Sequence, residues 1–259
     1  MTALRLISTA AIATSIIGLS TALSPTSIQS GLAAPIKTPP FPLATANKAF
    51  RPPSNPRRTR GYRTTTGTRQ GSCVGDTETA FTILGPSETV GLSASTRPSF
   101  AWYLPPSETI YPVQFRLLAP NEKGIPAPIY EADLDYVGGF NTYQLPAEAT
   151  ALSPSTDYRW QIVVVCDEGY LSRSLNQERS FEVVSSPTAL QQALATATTE
   201  AEKALAYGEN GFWYDAIAQV AQATNPSATA LRQELLRDLA EIETDDEDLK
   251  IDLLNLSKL

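Results

Sequence analysis

Eight short apolar runs, each set off by Pro, Gly or Ser, fill the chain between residues 78 and 184. They cover 79–84, 88–93, 98–104, 111–118, 128–134, 140–145, 157–166 and 178–184. In several, the apolar residue recurs at every second position: Phe100, Trp102 and Leu104; Val113, Phe115 and Leu117; Phe181 and Val183. A period of two lines one face of an extended strand. Turn signals between such runs favour two packed antiparallel sheets.

The run 157–166 carries a covalent clue. Tyr158, Trp160, Ile162, Val164 and Cys166 share one face, and Arg159 and Gln161 take the other. Cys166 is therefore expected to point inward beside Trp160. The only other cysteine is Cys73, so two readings are open: a bridge, or two unpaired buried thiols. A bridge needs an oxidising compartment, and the head of the chain provides for one. Arg5 precedes an uncharged stretch, residues 6–23, and Gly31-Leu32-Ala33 or Leu32-Ala33-Ala34 ends a cleavage site. Ser8, Thr9, Thr14, Ser15, Ser20 and Thr21 dilute the stretch below what a stable membrane span requires. Residues 1–34 read as a secretory signal, and the location as extracytoplasmic: periplasm, thylakoid lumen or cell exterior. No transmembrane span is expected after cleavage.

Charge divides the rest. Residues 1–75 contain no Asp or Glu, whereas all 27 acids lie beyond them. A basic Pro/Gly/Arg-rich arm, 35–72, thus precedes an acidic body. It is read as disordered or extended, either free or lying on its own acidic body, or as a binder of an anionic partner. Export argues against nucleic acid.

After residue 185 the period changes. Ser186 and Pro187 suit a helix start, and Leu190, Leu194, Ala197, Ala201, Leu205 and Gly208 follow helical spacing. A second helix is expected over 211–223, ending before Pro226. A third starts at a Ser227 cap and aligns Leu231, Leu235, Leu236 and Leu239, and a fourth spans 247–256.

Two local resemblances and one family resemblance follow from quoted residues. Leu152-Ser153-Pro154-Ser155-Thr156-Asp157-Tyr158-Arg159-Trp160 resembles the tyrosine corner of fibronectin type III and related immunoglobulin-like domains. That resemblance implies a Tyr158 hydroxyl bonded back to the preceding turn. Ala206-Tyr207 through Gly211-Phe212-Trp213-Tyr214-Asp215-Ala216-Ile217 is similar to the joint of a tetratricopeptide helical hairpin. With one such unit, the helices are expected to pack on the sheets or on each other, because a solenoid needs about three. Finally, four blocks in this order resemble the cyanobacterial domain of unknown function 928. They are the Arg/Gly/Thr-rich run ending in Cys73; Arg97-Pro98-Ser99-Phe100-Ala101-Trp102-Tyr103-Leu104-Pro105; Tyr158-Arg159-Trp160 through Cys166-Asp167 with Arg173-Ser174; and Gly211-Phe212-Trp213-Tyr214-Asp215-Ala216. The resemblance implies no activity. The chain departs from it in Thr64-Thr65-Thr66 and in an acidic tail.

The expected fold is α+β by content: an antiparallel immunoglobulin-like β-sandwich over 73–185, followed by a small C-terminal α-helical subdomain with an acidic tail over 186–259. Cys73 and Cys166 are the expected disulfide, and Tyr158, Trp160 and Trp102 the expected structural core.

Several chemistries find little support. The chain has no histidine, hence no Ser-His pair, and it lacks a Gly-x-Ser-x-Gly elbow and a phosphate loop. No cofactor or metal is expected. Asp133/Asp135 and Asp167/Glu168 are the best pairs for carboxylate chemistry without His, and Asp245-Asp246-Glu247-Asp248 is a weak calcium candidate without EF-hand spacing. Aromatic and basic residues remain as contact groups: Tyr103, Trp213, Tyr214, Arg63 and Arg69 as candidates for partner binding, with Tyr130, Tyr136 and Tyr143 less certain. The expected function is a non-catalytic protein-interaction module. A carbohydrate-binding module and a His-free carboxylate hydrolase are the alternatives.

Overall fold

Each of the eight runs holds a strand, and most bury the apolar face that they supply. The strands are β1 (Thr82–Ile83), β2 (Gly91–Ser93), β3 (Ser99–Leu104), β4 (Val113–Pro120), β5 (Pro126–Leu134), β6 (Gly139–Gln144), β7 (Tyr158–Val164) and β8 (Leu175–Val183). The computed structural model describes residues 48–59, 73–74, 79–170 and 173–259. The signal over 1–34 lies outside them, as do Arg63 and Arg69.

The content is α+β. A three-stranded sheet has the order β1-β3-β6, and a five-stranded sheet the order β2-β8-β7-β4-β5. One pairing corrects the antiparallel expectation: β2 runs parallel to β8, with Gly91 opposite Phe181. The outer strand β5 carries Pro126 and Pro128, exposed Glu131 and Asp133, and a register shift opposite Leu117/Leu118. Such features discourage further strand pairing at an edge.

Aromatic side chains from both sheets meet in one core. Phe100 of β3 lies 5.2 Å from Phe115, 4.8 Å from Trp160 and 5.0 Å from Phe181, measured between ring centroids. The predicted core residues Trp102, Tyr158 and Trp160 are all buried. The Tyr158 hydroxyl accepts from the Ser153 amide at 2.9 Å, closing the turn ahead of β7. Cys73 and Cys166 are bridged, with Cα atoms 5.5 Å apart. Cys166 lies two residues past the end of β7 and is only partly buried, so the bridge sits at the rim of the core.

Five helices follow: α1 (Thr188–Thr196), α2 (Glu200–Glu209), α3 (Trp213–Val220), α4 (Pro226–Ile242) and α5 (Glu247–Leu256). Spacing alone predicts one helix over the first two. The chain breaks it at Ala197–Thr199, where Thr199 and Glu202 form a reciprocal capping box. The backbone and hydroxyl donors of Thr198 and the Thr199 amide hold the Glu202 carboxyl down at about 2. Ser186 does not cap α1, whose first residue follows Pro187 without a side-chain bond. Asn225, not Ser227, caps α4, with Pro226 at its first position. Asp246 caps α5.

The helices share the strand core. Trp213, Tyr214, Ile217, Leu235, Leu239 and Leu253 belong to the same buried cluster as Phe100 and Trp160. Tyr103 and Phe140, paired across β3 and β6, pack at 5.2 Å, and the Arg232 guanidinium of α4 lies 4.2 Å from the Phe140 ring. Arg232 also donates to the Ala221 and Ala223 carbonyls at the end of α3 and to Leu259 O, where a cation suits the helix dipole. The three-stranded sheet is therefore covered on both faces.

Candidate functional site

The joint between α2 and α3 is where sequence motif and structure converge. Gly211 sits at φ +84°, a conformation open to glycine at little cost, and lets the chain reverse. Phe212, Trp213 and Tyr214 then turn inward. Trp213 Nε1 donates to Leu84 O at 2.9 Å, and the Tyr214 hydroxyl accepts from Trp160 Nε1 at 3.1 Å. This corrects three partner-binding candidates. Trp213 and Tyr214 are 0% exposed and Tyr103 is 5% exposed, because their polar atoms find partners inside a core with layers on both sides.

Across the outside of this joint runs an extended segment of the basic arm, residues 48–53. Phe50 is 3% exposed, and its ring meets Trp213 edge-on at 4.9 Å. The Phe50 amide donates to Asp238 Oδ2 of α4 at 2.8 Å, and the Arg51 amide to Gly208 O of α2 at 3.0 Å. Gly208 has no side chain for a steric reason: a Cβ there would lie 2.1 Å from Ala49 O. A rim of acids completes the cradle. Lys48 Nζ is 2.7 Å from Glu241 Oε2, and Arg51 Nη2 is 3.9 Å from Glu209 Oε1. Farther on, Arg57 pairs with Asp157 and Glu182, and residues 57–59 bond to 88–90 as a short antiparallel bridge. This part of the arm is thus ordered on its own acidic body.

Two carboxylates, one half-buried and one buried, lock loops to helices near the joint. The first, Asp215 on α3, accepts from the Ala94 amide at 2.7 Å and Ser93 Oγ at 3.2 Å. Burial outweighs these donors and pushes its carboxyl from 3.8 up to about 6. The folded chain then keeps a proton that the unfolded chain has already released. This contribution to stability is full below about pH 4 and is lost as pH rises through about 6. Asp215→Asn keeps an acceptor for Ala94 and a donor for Ser93. Relative to the native chain, the variant should gain stability between pH 4 and 7, by up to about 2–3 kcal/mol. Urea melts across that range test it, and parallel curves for the two chains would contradict it. The second, Glu243, is 1% exposed at the end of α4 and accepts from both the amide and the hydroxyl of Ser87. Burial pushes its carboxyl up as well. Its neighbour Glu88 answers by accepting from the Asp245 amide.

The remaining candidates separate. Asp133 is exposed and accepts from Gln114, and Asp135 is exposed in the turn after β5. Asp167 accepts from the Gly169 amide and pairs with Arg173, whereas Glu168 is exposed. Asp133 has strand duty and Asp167 turn duty, and no described contact unites either pair. In the acidic run, Asp246 serves as the α5 cap and Glu247 pairs with Lys250. No group of three metal-ligating side chains occurs among the described residues. Tyr136 is buried, and burial pushes its hydroxyl up to about 12. Tyr130 and Tyr143 are half-buried, with hydroxyls 2.6 Å apart. A small depression lies between Arg57, Arg58, Asp157 and Arg159.

Residue spacing does not reveal the cradle. Its acids, Glu209, Asp238 and Glu241, read as a solvated helix face. Only Gly208, a helix-disfavouring residue inside a helical period, signals close backbone approach.

The model of the family Domain of Unknown Function (DUF928) matches residues 64–247. The chain belongs to this family. The DUF928 match contains the whole helical side of the cradle and stops short of the segment 48–53 that fills it. No curated protein matches the chain. Among solved structures, pT26-6p is 15% identical, with 66% of this chain and 45% of that chain covered and a TM-score of 0.21. This chain therefore spans less than half of that structure's length. No helix among the described residues is long and apolar enough to cross a membrane.

Proposed function

We propose that this DUF928 chain is a non-catalytic protein-interaction module that works outside the cytoplasm. The observation carrying this reading is the cradle on α2, α3 and α4, which holds an extended polypeptide by backbone bonds, one aromatic anchor and an acidic rim. Main-chain hydrogen bonds that give affinity and side-chain pockets that give specificity are recurring terms in the recognition of extended peptides. Extracytoplasmic residence is supported by the signal-like residues 1–34 and agrees with the Cys73–Cys166 bridge. We read the two sheets as an immunoglobulin-like sandwich, supported by the Tyr158-to-Ser153 corner. A polysaccharide-binding reading has less support, since Trp102, Trp160 and Trp213 are all buried and leave no indole for sugar stacking.

Photo-crosslinking in cells tests the reading. A crosslinker at exposed Glu241, on the cradle's rim, and another at exposed Ile129, on β5, should between them give adducts that protease digests and glycosidases leave intact. Adducts removed only by glycosidases, or none from either position, would overturn it.

A further inference from the structure

We propose that the cradle is a receptor for extended segments of other polypeptides with an aromatic anchor between basic residues, and that residues 48–53 fill it in cis as a tethered competitor. The inference deepens the interaction-module reading and rests on it. Three observations lead to it. First, the cradle accepts backbone: Gly208 clears a path for Ala49 O, and Gly208 O and Asp238 Oδ2 take consecutive amides. Second, its chemistry is selective. Glu209, Asp238 and Glu241 surround a slot that ends on Trp213, and the occupant presents Lys48, Phe50 and Arg51 to them. Third, cradle and occupant belong to different parts of the chain. Residues 208–241 lie inside the family match, and 48–53 lie outside it.

The occupant is suited to exchange. Residues 48–53 belong to no helix or strand. The ion pairs Lys48–Glu241 and Arg51–Glu209 are largely exposed, a type that contributes at most about 1 kcal/mol each. Phe50 is the principal anchor. Tethering supplies the rest, since a short linker holds a segment at an effective concentration of roughly millimolar. A free segment of the same chemistry must compete with that concentration, so the native chain should bind it weakly.

The test uses the full chain and a fluorescein-labelled peptide of residues 48–56. Phe50→Ala removes the cis anchor and leaves the cradle intact. The labelled native-sequence peptide should then bind on the order of 10- to 100-fold more tightly than to the native chain, as expected when a roughly millimolar competitor is removed. Raising salt should weaken that binding. Adding Gly208→Ala to Phe50→Ala should abolish the gain, because the new Cβ blocks the incoming backbone as it would block Ala49 O. A second chain, Lys48→Glu with Arg51→Glu, alters only exposed side chains and should show a smaller gain, about 2- to 10-fold. It carries the comparison if Phe50→Ala fails to fold. Cooperatively melting variants that bind the peptide no better than the native chain would overturn the inference, as would a gain that survives Gly208→Ala. Protein adducts at Ile129 alongside such a result would leave the interaction-module reading standing and remove only the cradle from it.

Discussion

Replacing Cys73 and Cys166 together by serine should lower the melting temperature by roughly 8–20 °C. The bridge spans a sequence separation of 93 residues. Loop-closure entropy for a loop of that size is worth roughly 4–5 kcal/mol, and a chain of this size loses about 2–4 °C per kcal/mol. Local contacts support the same direction. The bridge holds residues 73–74 against the body, where Val74 is buried and the Tyr111 hydroxyl donates to Cys73 O at 2.7 Å. Calorimetry of the native and double-serine chains, with and without reductant, measures the effect. Reductant should bring the native chain to the variant's melting temperature and leave the variant unmoved. Equal melting temperatures without reductant would show that the packing at the rim, and not the cross-link, limits unfolding.

Tyr214→Ala should destabilise the chain by about 3–5 kcal/mol, the range for emptying a buried aromatic site. Tyr214 is fully buried among Phe100, Trp160 and Phe181, with ring centroids 5.8, 6.1 and 5.6 Å away. Burial pushes its hydroxyl up, so it stays protonated and accepts from Trp160 Nε1. Tyr214→Phe isolates the polar part. It leaves the Trp160 N–H without its acceptor, a loss of about 1–3 kcal/mol. On a Trp160→Phe background Tyr214→Phe should cost less than in the native chain, because no donor is then orphaned. Steric coupling provides a second check. A Cβ on Gly91 would meet the Tyr214 ring at 2.5 Å. Gly91→Ala should therefore be costly in the native chain and mild beside Tyr214→Ala. Additive losses in that pair would contradict the packing described.

The short apolar runs between turn signals made the strands legible, most clearly where a period-two face such as Val113, Phe115 and Leu117 has no other way to be buried. Cys166 was legible for the same reason, one period beyond Val164. The break between α1 and α2 was also written in the chain, as Thr199 and Glu202 three residues apart, but six apolar residues in helical period mask it. The faces of β3 show a different difficulty. Alternation puts Phe100, Trp102 and Leu104 inside and leaves Tyr103 open, yet Tyr103 is buried, its ring packed on Phe140, over which α4 lays Arg232. The unbroken apolar run Phe100-Ala101-Trp102-Tyr103-Leu104 is the signal for burial on both faces, and it competes with the alternation.

Local pattern was enough for the strands and the helical period, because each depends on neighbours a few residues apart, and two cysteines allow a single bridge if one forms. The cradle was a tertiary decision. Phe50 and Asp238 are separated by 188 positions, and a close approach of backbone to Gly208 exists only once α2, α3 and α4 have packed. Periodicity records which face of an element is buried. It carries no record of which distant segment will cover that face.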